Sequence, residues 1–296
     1  MRPIDRRDWQ WSVSTNFSRA INRIKSLPAG ETYELNDFLN GNAIVKGQPV
    51  GTFYSYKFIG LSPVDGGPMF DDWFDHTEDL KGLSKYDTYT SVLTASGSRE
   101  PIMSGNLSTM LRWKDLRLNA NFVYSLGAKT RLFGMYGAGT ESDGVYAHAG
   151  QIKSENNLSR DYLDRWMKPG DEKHTNIPAI IGENHPSYFR YLNHWSSNMD
   201  EVQTIAGSYW DMYDYSDLRV VSSDYLRLST LSLSYDLPSR ILRPWGCKRL
   251  EVTATATNLF TLCDSKLKGQ TPTQGGFTTV QLSDRPGFSF GLNVTF

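Results

Sequence analysis

The chain has 296 residues, 39% of them hydrophobic and 21% charged, with 31 Lys and Arg against 32 Asp and Glu for a net charge of -1. The balanced charge leaves no basic footprint for nucleic acid, and no apolar run is long enough for a membrane-spanning helix. The low average hydropathy suits a soluble protein of one or two domains, and it equally suits a transmembrane barrel, whose strands alternate lipid-facing and lumen-facing residues.

In chain order, Met1, Arg2, Pro3, Ile4, Asp5, Arg6 and Arg7 contain no apolar stretch, so no cleavable leader is expected there. Trp9, Trp11, Val13, Thr15 and Phe17 then alternate with Gln10, Ser12, Ser14, Asn16 and Ser18, which predicts a two-faced strand over 9–18. Residues 51–61, with Phe53, Tyr54, Tyr56 and Phe58, predict a further strand near a membrane interface, where aromatic rings are favoured. Asp71, Asp72, Asp75, Glu78 and Asp79 cluster beside His76. The EF-hand spacing, with its central glycine and terminal glutamate, is missing, so a solvated acidic loop is expected and no metal site.

A hairpin follows. Met103, Gly105, Leu107, Thr109, Leu111 and Trp113 form one face of its first strand, and Leu116, Leu118, Ala120, Phe122, Tyr124 and Leu126 one face of its second. Lys114 and Asp115 remain as a two-residue turn, which pairs Trp113 with Leu116 on the apolar face. Two independent patterns therefore agree with the turn length.

The long segment 130–217 holds Tyr146, Trp166, Tyr188, Phe189, Tyr191, Trp195, Tyr209, Trp210, Tyr213 and Tyr215. Loops on a rigid scaffold carry recognition, and Tyr and Trp suit sugar stacking, a protein interface or the loop's own core. Tyr146, Trp166, Trp195, Tyr209 and Trp210 are the candidate contacts to a substrate or a covering partner. Ser159 to Trp166 predicts a short helix, capped by Ser159, stopped by Pro169 and Gly170, and bracing the loop through Tyr162, Leu163 and Trp166. His148, His174, His185 and His194 lack metal-ligand spacing. Asp171 and Glu172 are adjacent, which does not aim two carboxyl groups at one glycosidic bond. No catalytic signature occurs, and no enzymatic activity or cofactor is expected.

In residues 224–237, Leu231, Leu233, Tyr235 and Leu237 share one face, whereas upstream Leu226 and Leu228 fall on the other parity. A one-residue slip reverses the faces of a strand, so a bulge is predicted near Ser229 and Thr230. Pro238 ends that strand, and residues 239–246 form a compact turn. In 248–262, Leu250, Val252, Ala254, Ala256, Asn258, Phe260 and Leu262 oppose Arg249, Glu251, Thr253, Thr255 and Thr257, so the charges keep to one face. Cys247 and Cys263 flank this strand roughly 50 Å apart and are expected to stay unpaired. Phe288, Phe290, Leu292, Val294 and Phe296 alternate with small and polar residues to a terminal aromatic. About ten such residues, tilted, span a bilayer core.

The fold class expected is all-β, an antiparallel transmembrane barrel segment of about seven strands. With the last strand running toward the periplasm, the long connections 62–100, 130–217 and 263–284 lie outside, and the strand at 9–18 starts outside. Single-chain bacterial barrels have even strand numbers, so an odd count predicts part of a larger barrel.

Four ordered segments carry a resemblance to a known family: Gly47-Gln48-Pro49-Val50-Gly51-Thr52-Phe53-Tyr54-Ser55-Tyr56, Asp164-Arg165-Trp166-Met167-Lys168-Pro169-Gly170-Asp171-Glu172, Ser223-Asp224-Tyr225-Leu226-Arg227-Leu228 and Thr257-Asn258-Leu259-Phe260. Together they resemble the C-terminal third of the SusC/RagA family of TonB-dependent outer-membrane transporters. The resemblance implies a 22-stranded barrel that imports glycans or peptides beneath a SusD-like surface lipoprotein. It further implies that residues 1–296 are one barrel piece without a plug, whose partners are the remaining N-terminal barrel and plug portion, TonB acting through that plug, the substrate and the lipid bilayer. A soluble glycan-binding β-sandwich and a functionless remnant are the competing expectations. The sandwich would bury its apolar face, whereas a barrel gives that face to lipid.

Overall fold

A computed structural model of the chain describes residues 1–27, 32–71, 73–136, 159–182, 184–192, 202–203, 205, 208–274 and 285–296. Its strands, in chain order, are β1 (Ile4–Asp5), β2 (Trp9–Arg19), β3 (Thr52–Ser55), β4 (Lys57–Leu61), β5 (Pro68–Asp71), β6 (Thr94–Ser98), β7 (Met103–Trp113), β8 (Leu116–Leu126), β9 (Lys129–Arg131), β10 (Val220–Ser222), β11 (Tyr225–Asp236), β12 (Arg249–Cys263) and β13 (Gly287–Thr295). Seven of them form one antiparallel sheet in the order β1-β2-β7-β8-β11-β12-β13.

The register turns the alternation of each strand into rows that cross the sheet. One row reads Trp11, Leu111, Leu118, Leu233, Ala254, Phe290, and the next toward the hairpin turn reads Trp9, Trp113, Leu116, Tyr235, Val252, Leu292. The opposite face carries Ser12, Met110, Asn119, Ser232, Thr255, Ser289. From the Trp9 row to the Phe17 row the apolar face covers about 26 Å along the strands, comparable with the apolar band of roughly 25 Å on outer-membrane barrels. This face is bare: Phe290 is 83% exposed and Phe17 72%. Among the described residues no second sheet covers it, so the burial that defines a sandwich is not present. Trp9 and Trp113 stack with ring centres 5.8 Å apart at its lower rim, where barrels carry aromatic girdles.

The bulge forms where the phase slip predicts it. Between the row through Ala120, Leu231 and Ala256 and the row through Phe122, Leu228 and Phe260, β8 advances two residues, β11 three and β12 four. Ser229 is the extra residue of β11. In β12 the excess is absorbed by Asn258, at φ 52, a left-handed conformation that asparagine tolerates better than most residues. The slip returns Leu226 and Leu228 to the face of Leu231, Leu233 and Tyr235. The hairpin at Lys114 and Asp115 also forms as expected, with Trp113 opposite Leu116 and Lys114 at φ 53. Residues 239–246 make the compact turn, closed by Gly246 at φ 70.

Two expectations are overturned. Residues 51–61 are no spanning strand, because β3 pairs with β6 and β4 with β5 in small sheets away from the main one. The aromatic residues that suggested an interface instead turn inward, with Phe53, Tyr54 and Tyr56 buried. The strand at 9–18 therefore runs opposite to the direction expected. Trp9 pairs with Trp113 and Arg19 with Met103, so β2 begins at the hairpin-turn end. The sheet keeps the expected count of seven, as six long strands and the two-residue β1, but that count no longer rests on 51–61. The openness is seen directly instead: β1 and β13 are the sheet's two edges and are not paired with each other. Cys247 and Cys263 are free thiols at opposite ends of β12.

The connections between β2 and β7, between β8 and β11 and between β12 and β13 all leave from the sheet end opposite the hairpin turn, so the first of them spans 20–102 rather than 62–100. The first two merge there into one cap with a continuous core, and the third joins it through Lys268, which pairs with Asp161, and Gln270, which bonds Arg131 O. Phe38 and Leu39 of α1 (Leu35–Leu39), Tyr89 and Val92 of α2 (Lys85–Val92), Tyr191 of α3 (Tyr188–Leu192) and Met212 and Tyr213 of α4 (Tyr209–Asp214) belong to that core.

Candidate functional site

Two surfaces are available for function, the polar face of the sheet and the cap. The cap is rigid for identifiable reasons. Arg131, 3% exposed, donates from its guanidinium to the carbonyls of Leu39 and Tyr54 (each 3.1 Å), to Ser55 Oγ (3.0 Å) and to the carbonyl of Ser216 (3.1 Å). Its own carbonyl accepts from Gln270 Nε2 at 2.8 Å. The side chain thus ties the first connection to the second, and the backbone carbonyl of the same residue holds the third. Burial pushes the guanidinium pKa down to about 10, which still leaves it charged at neutral pH. Its cationic plane rests 5.1 Å from the Tyr215 ring centre and 5.7 Å from that of Phe53.

Carboxylates act as braces in the same cap. Asp214 accepts from the backbone N–H groups of Met135 (2.7 Å) and Tyr136 (2.8 Å). Asp65 accepts from the Tyr191 hydroxyl at 2.7 Å and from Gly67 N at 3.3 Å. Burial works against ionisation of Asp65, but hydrogen bonds from Ser62, Tyr191 and Ser187 together outweigh it and hold the carboxyl below its usual range. Burial raises Asp211, beside the capping Ser208, and pushes the Tyr54 and Tyr213 phenols up to about 12.

The segment 164–172 is tied to itself. Asp171 Oδ2 accepts from the N–H groups of Met167 (3.0 Å) and Lys168 (3.1 Å), and Glu172 Oε2 accepts from Gly170 N (2.7 Å) and Trp166 Nε1 (3.2 Å). The two carboxyl groups hold a turn, which is their visible role. Trp166 lies against Gly66, where a Cβ would meet its ring at 2.3 Å and where φ is +68. No side chain fits between them. The residues bearing the family resemblance therefore share a physical trait: left-handed glycines at Gly47 and Gly51, a bulge asparagine at Asn258, and an Asp224 carboxylate that accepts from Gly127 N.

Three of the predicted contact residues are inside the cap. Trp210 stacks on Tyr136 at 5.1 Å, Tyr209 on Phe70 at 5.7 Å, and Tyr191 meets Tyr209 edge-on at 5.1 Å. Trp166, Tyr209 and Trp210 are each at most 9% exposed. Packing decides this, because a buried aromatic neighbour removes more ring from water than a solvated ligand does. Tyr146 and Trp195 lie outside the described residues, as do His148, His194 and Asp72. A 3-10 helix at Arg160–Asp164 replaces the predicted helix; Ser159 caps it, accepting from Asp161 N at 3.3 Å. Tyr162 packs inward as expected, but Leu163 does not: it is 74% exposed, with Met167 four residues on also facing solvent. Leu163, Met167 and Phe189 are the large apolar side chains that the cap presents outward in this region. Their signal in the sequence is the one-residue offset from the buried pair Tyr162 and Trp166.

Asp71 pairs with Lys57 at 2.8 Å and Glu78 with Lys81 at 2.7 Å. Among the described residues no group of three or more His, Cys, Asp or Glu is placed to hold a metal ion. A cavity of ≈ 440 Å³ opens beside the cap-side part of β12, lined by Arg227, Thr261, Lys268 and Gln270 among others. It lies where β12 runs on beyond Thr257, the last residue that β13 pairs.

No family model matches the chain. Among curated proteins, the TonB-dependent receptor P3 of Formosa agariphila is 22% identical over 275 residues, which cover 89% of this chain and 23% of that receptor. Among solved structures, the RagAB peptide transporter overlays on 100% of this chain with a TM-score of 0.65 at 20% identity, using 28% of its own chain. The RagAB peptide importer in its closed-closed state gives 0.65 at 21% identity, again over 28% of that chain. The chain thus spans about a quarter of the length of the relatives it matches. Its fold is that of a part of a TonB-dependent transporter barrel.

Proposed function

We propose that the chain is one piece of a SusC-like TonB-dependent importer of oligosaccharides or peptides, supplying six spanning strands and an outer cap but no plug. It lies in the bacterial outer membrane with its C-terminus periplasmic and its cap extracellular. A remaining N-terminal portion, on the same or a separate chain, adds the other strands and the plug through which TonB acts. The cap meets a SusD-like surface lipoprotein or the substrate through outward side chains such as Leu163, Met167 and Phe189, with Tyr146 and Trp195 as further contacts. No enzymatic step is assigned to it.

The observation that carries this reading is the bare apolar face of an open sheet. Open edges in lipid leave backbone groups unpaired at several kcal/mol each, so β2 and β13 require neighbouring strands. The test is co-expression with a plug-bearing portion followed by detergent extraction. The expected result is a detergent-dependent complex whose electrophoretic mobility changes on boiling. Recovery of the chain as a monodisperse, water-soluble monomer without detergent refutes the proposal.

A further inference from the structure

The polar face of the main sheet carries an arginine that nothing in the described structure answers. Near the hairpin-turn end, one row reads Gln10, Arg112, Arg117, Ser234, Thr253. Arg112 and Arg117 are therefore directly opposed across the β7–β8 hairpin, a like-charge pairing that is unfavourable by itself. Their surroundings differ. Arg117 reaches Asp236 and Glu251, each at 3.6 Å, and Arg249 closes the group at 2.8 Å from Asp236 and 3.1 Å from Glu251. Arg112 takes part in no ion pair among the described residues, and its Nε is buried without a hydrogen-bond partner. Asp5, further along the same row, is engaged by Gln10 at 3.1 Å and Arg2 at 3.7 Å. Three guanidinium groups thus share two carboxylates, and the deficit falls on Arg112.

Arg112 as a whole is half-buried, but an Nε withdrawn from water without a partner costs free energy, and the planar guanidinium fork matches a carboxylate in two-point geometry. We infer that Arg112, with Arg117 beside it, is a docking site for an Asp or Glu side chain of the protein segment that fills the inside of the completed barrel. The inference rests on the proposed function, since it takes the polar face as the lumenal one. Charge selects an acidic occupant. Position selects a protein segment over a substrate, because the site lies about 26 Å along the strands from the cap end.

Arg112→Lys keeps the charge and places a primary amine at the site. The complex of this chain with its plug-bearing portion, purified in detergent, is treated with a carbodiimide that joins amines to touching carboxylates, and the products are mapped by mass spectrometry. The expected product links position 112 to an Asp or Glu outside these 296 residues. In parallel, Arg112→Glu should lower retention of the plug-bearing portion in urea by about tenfold, equivalent to roughly 1.4 kcal/mol. Retention should return when the acid so identified is replaced by arginine, and Arg240→Glu, at an exposed position in the turn 239–246, should leave it unchanged. A link only to Asp236 or Glu251, a link only to an added acidic peptide, or no link in an intact complex overturns the docking site alone. Failure of the unaltered chain to copurify with any plug-bearing portion overturns the lumenal reading and the docking site with it.

Discussion

Replacing Arg131 by methionine should loosen the cap while leaving the spanning strands in place. The guanidinium donates to Leu39 O, Tyr54 O, Ser55 Oγ and Ser216 O at 3.0 to 3.1 Å. Bonds from a charged donor are worth about 1.5 to 3 kcal/mol each, a gross loss of roughly 6 to 12 kcal/mol for the set. Two effects reduce it. Methionine no longer has to be stripped of the water that a guanidinium holds, and its apolar chain fills much of the space. The net loss expected is about 3 to 5 kcal/mol, the range for removing one member of a buried charged network. At 3 kcal/mol, local opening becomes more than about a hundredfold more frequent. Hydrogen exchange on the detergent-purified complex reads this directly at the backbone N–H groups of Tyr56, which bonds Tyr215 O, and Arg219, which bonds Ser216 O. Exchange at both should accelerate by that factor, with β8 and β11 unchanged. An acceleration below about threefold, or equal loosening of β8 and β11, refutes the view that the Arg131 side chain locks the first two connections together.

On the apolar face, Leu231→Arg, in the middle row of the band, should cost about 2 to 4 kcal/mol, whereas Ser232→Arg on the other face should be tolerated; the fraction of boiling-sensitive complex compares the two. At the bulge, Asn258→Val forces a β-branched residue to positive φ and should cost about 1 to 2 kcal/mol, while Asn258→Gly should stay close to the parent in thermal unfolding in detergent. Asp65 gives the cap an acid limit. Its carboxyl is held below the usual range in the folded cap, so its contribution is complete above the unfolded pKa of about 3.9 and is lost as pH falls through the folded value. Limited proteolysis of the cap should accelerate in that acidic window, and Asp65→Asn should remove this part of the pH dependence.

Much of the sheet was legible because a strand declares itself locally. Alternation places Trp113 and Leu116 on one face, and the parity slip between Leu228 and Leu231 requires a bulge before any partner strand is known. The direction of β2 was not legible. It depends on whether residues 51–61 cross the membrane, and their aromatic content suits a lipid interface as well as a protein interior. The cap decided it by burying Phe53, Tyr54 and Tyr56. The candidate site divided in the same way. Sequence identified the aromatic loop, but a ring in a loop has no periodicity to say which way it points. Tyr209 and Trp210 found ring partners, Trp166 settled on Gly66, and all three became core, whereas Leu163 and Met167 were left facing outward.

By itself, then, the amino-acid order determined the two-faced strands, the tight hairpin, the bulge and the resemblance to a transporter barrel, since each follows from side-chain alternation or from a residue suited to a special backbone angle. Only the tertiary structure decided the sheet order, the direction of β2, the meeting of three connections at Arg131 and, among the described residues, the lack of a counterion at Arg112. Those depend on contacts between residues far apart in the chain, where packing and charge pairing choose among locally equivalent arrangements.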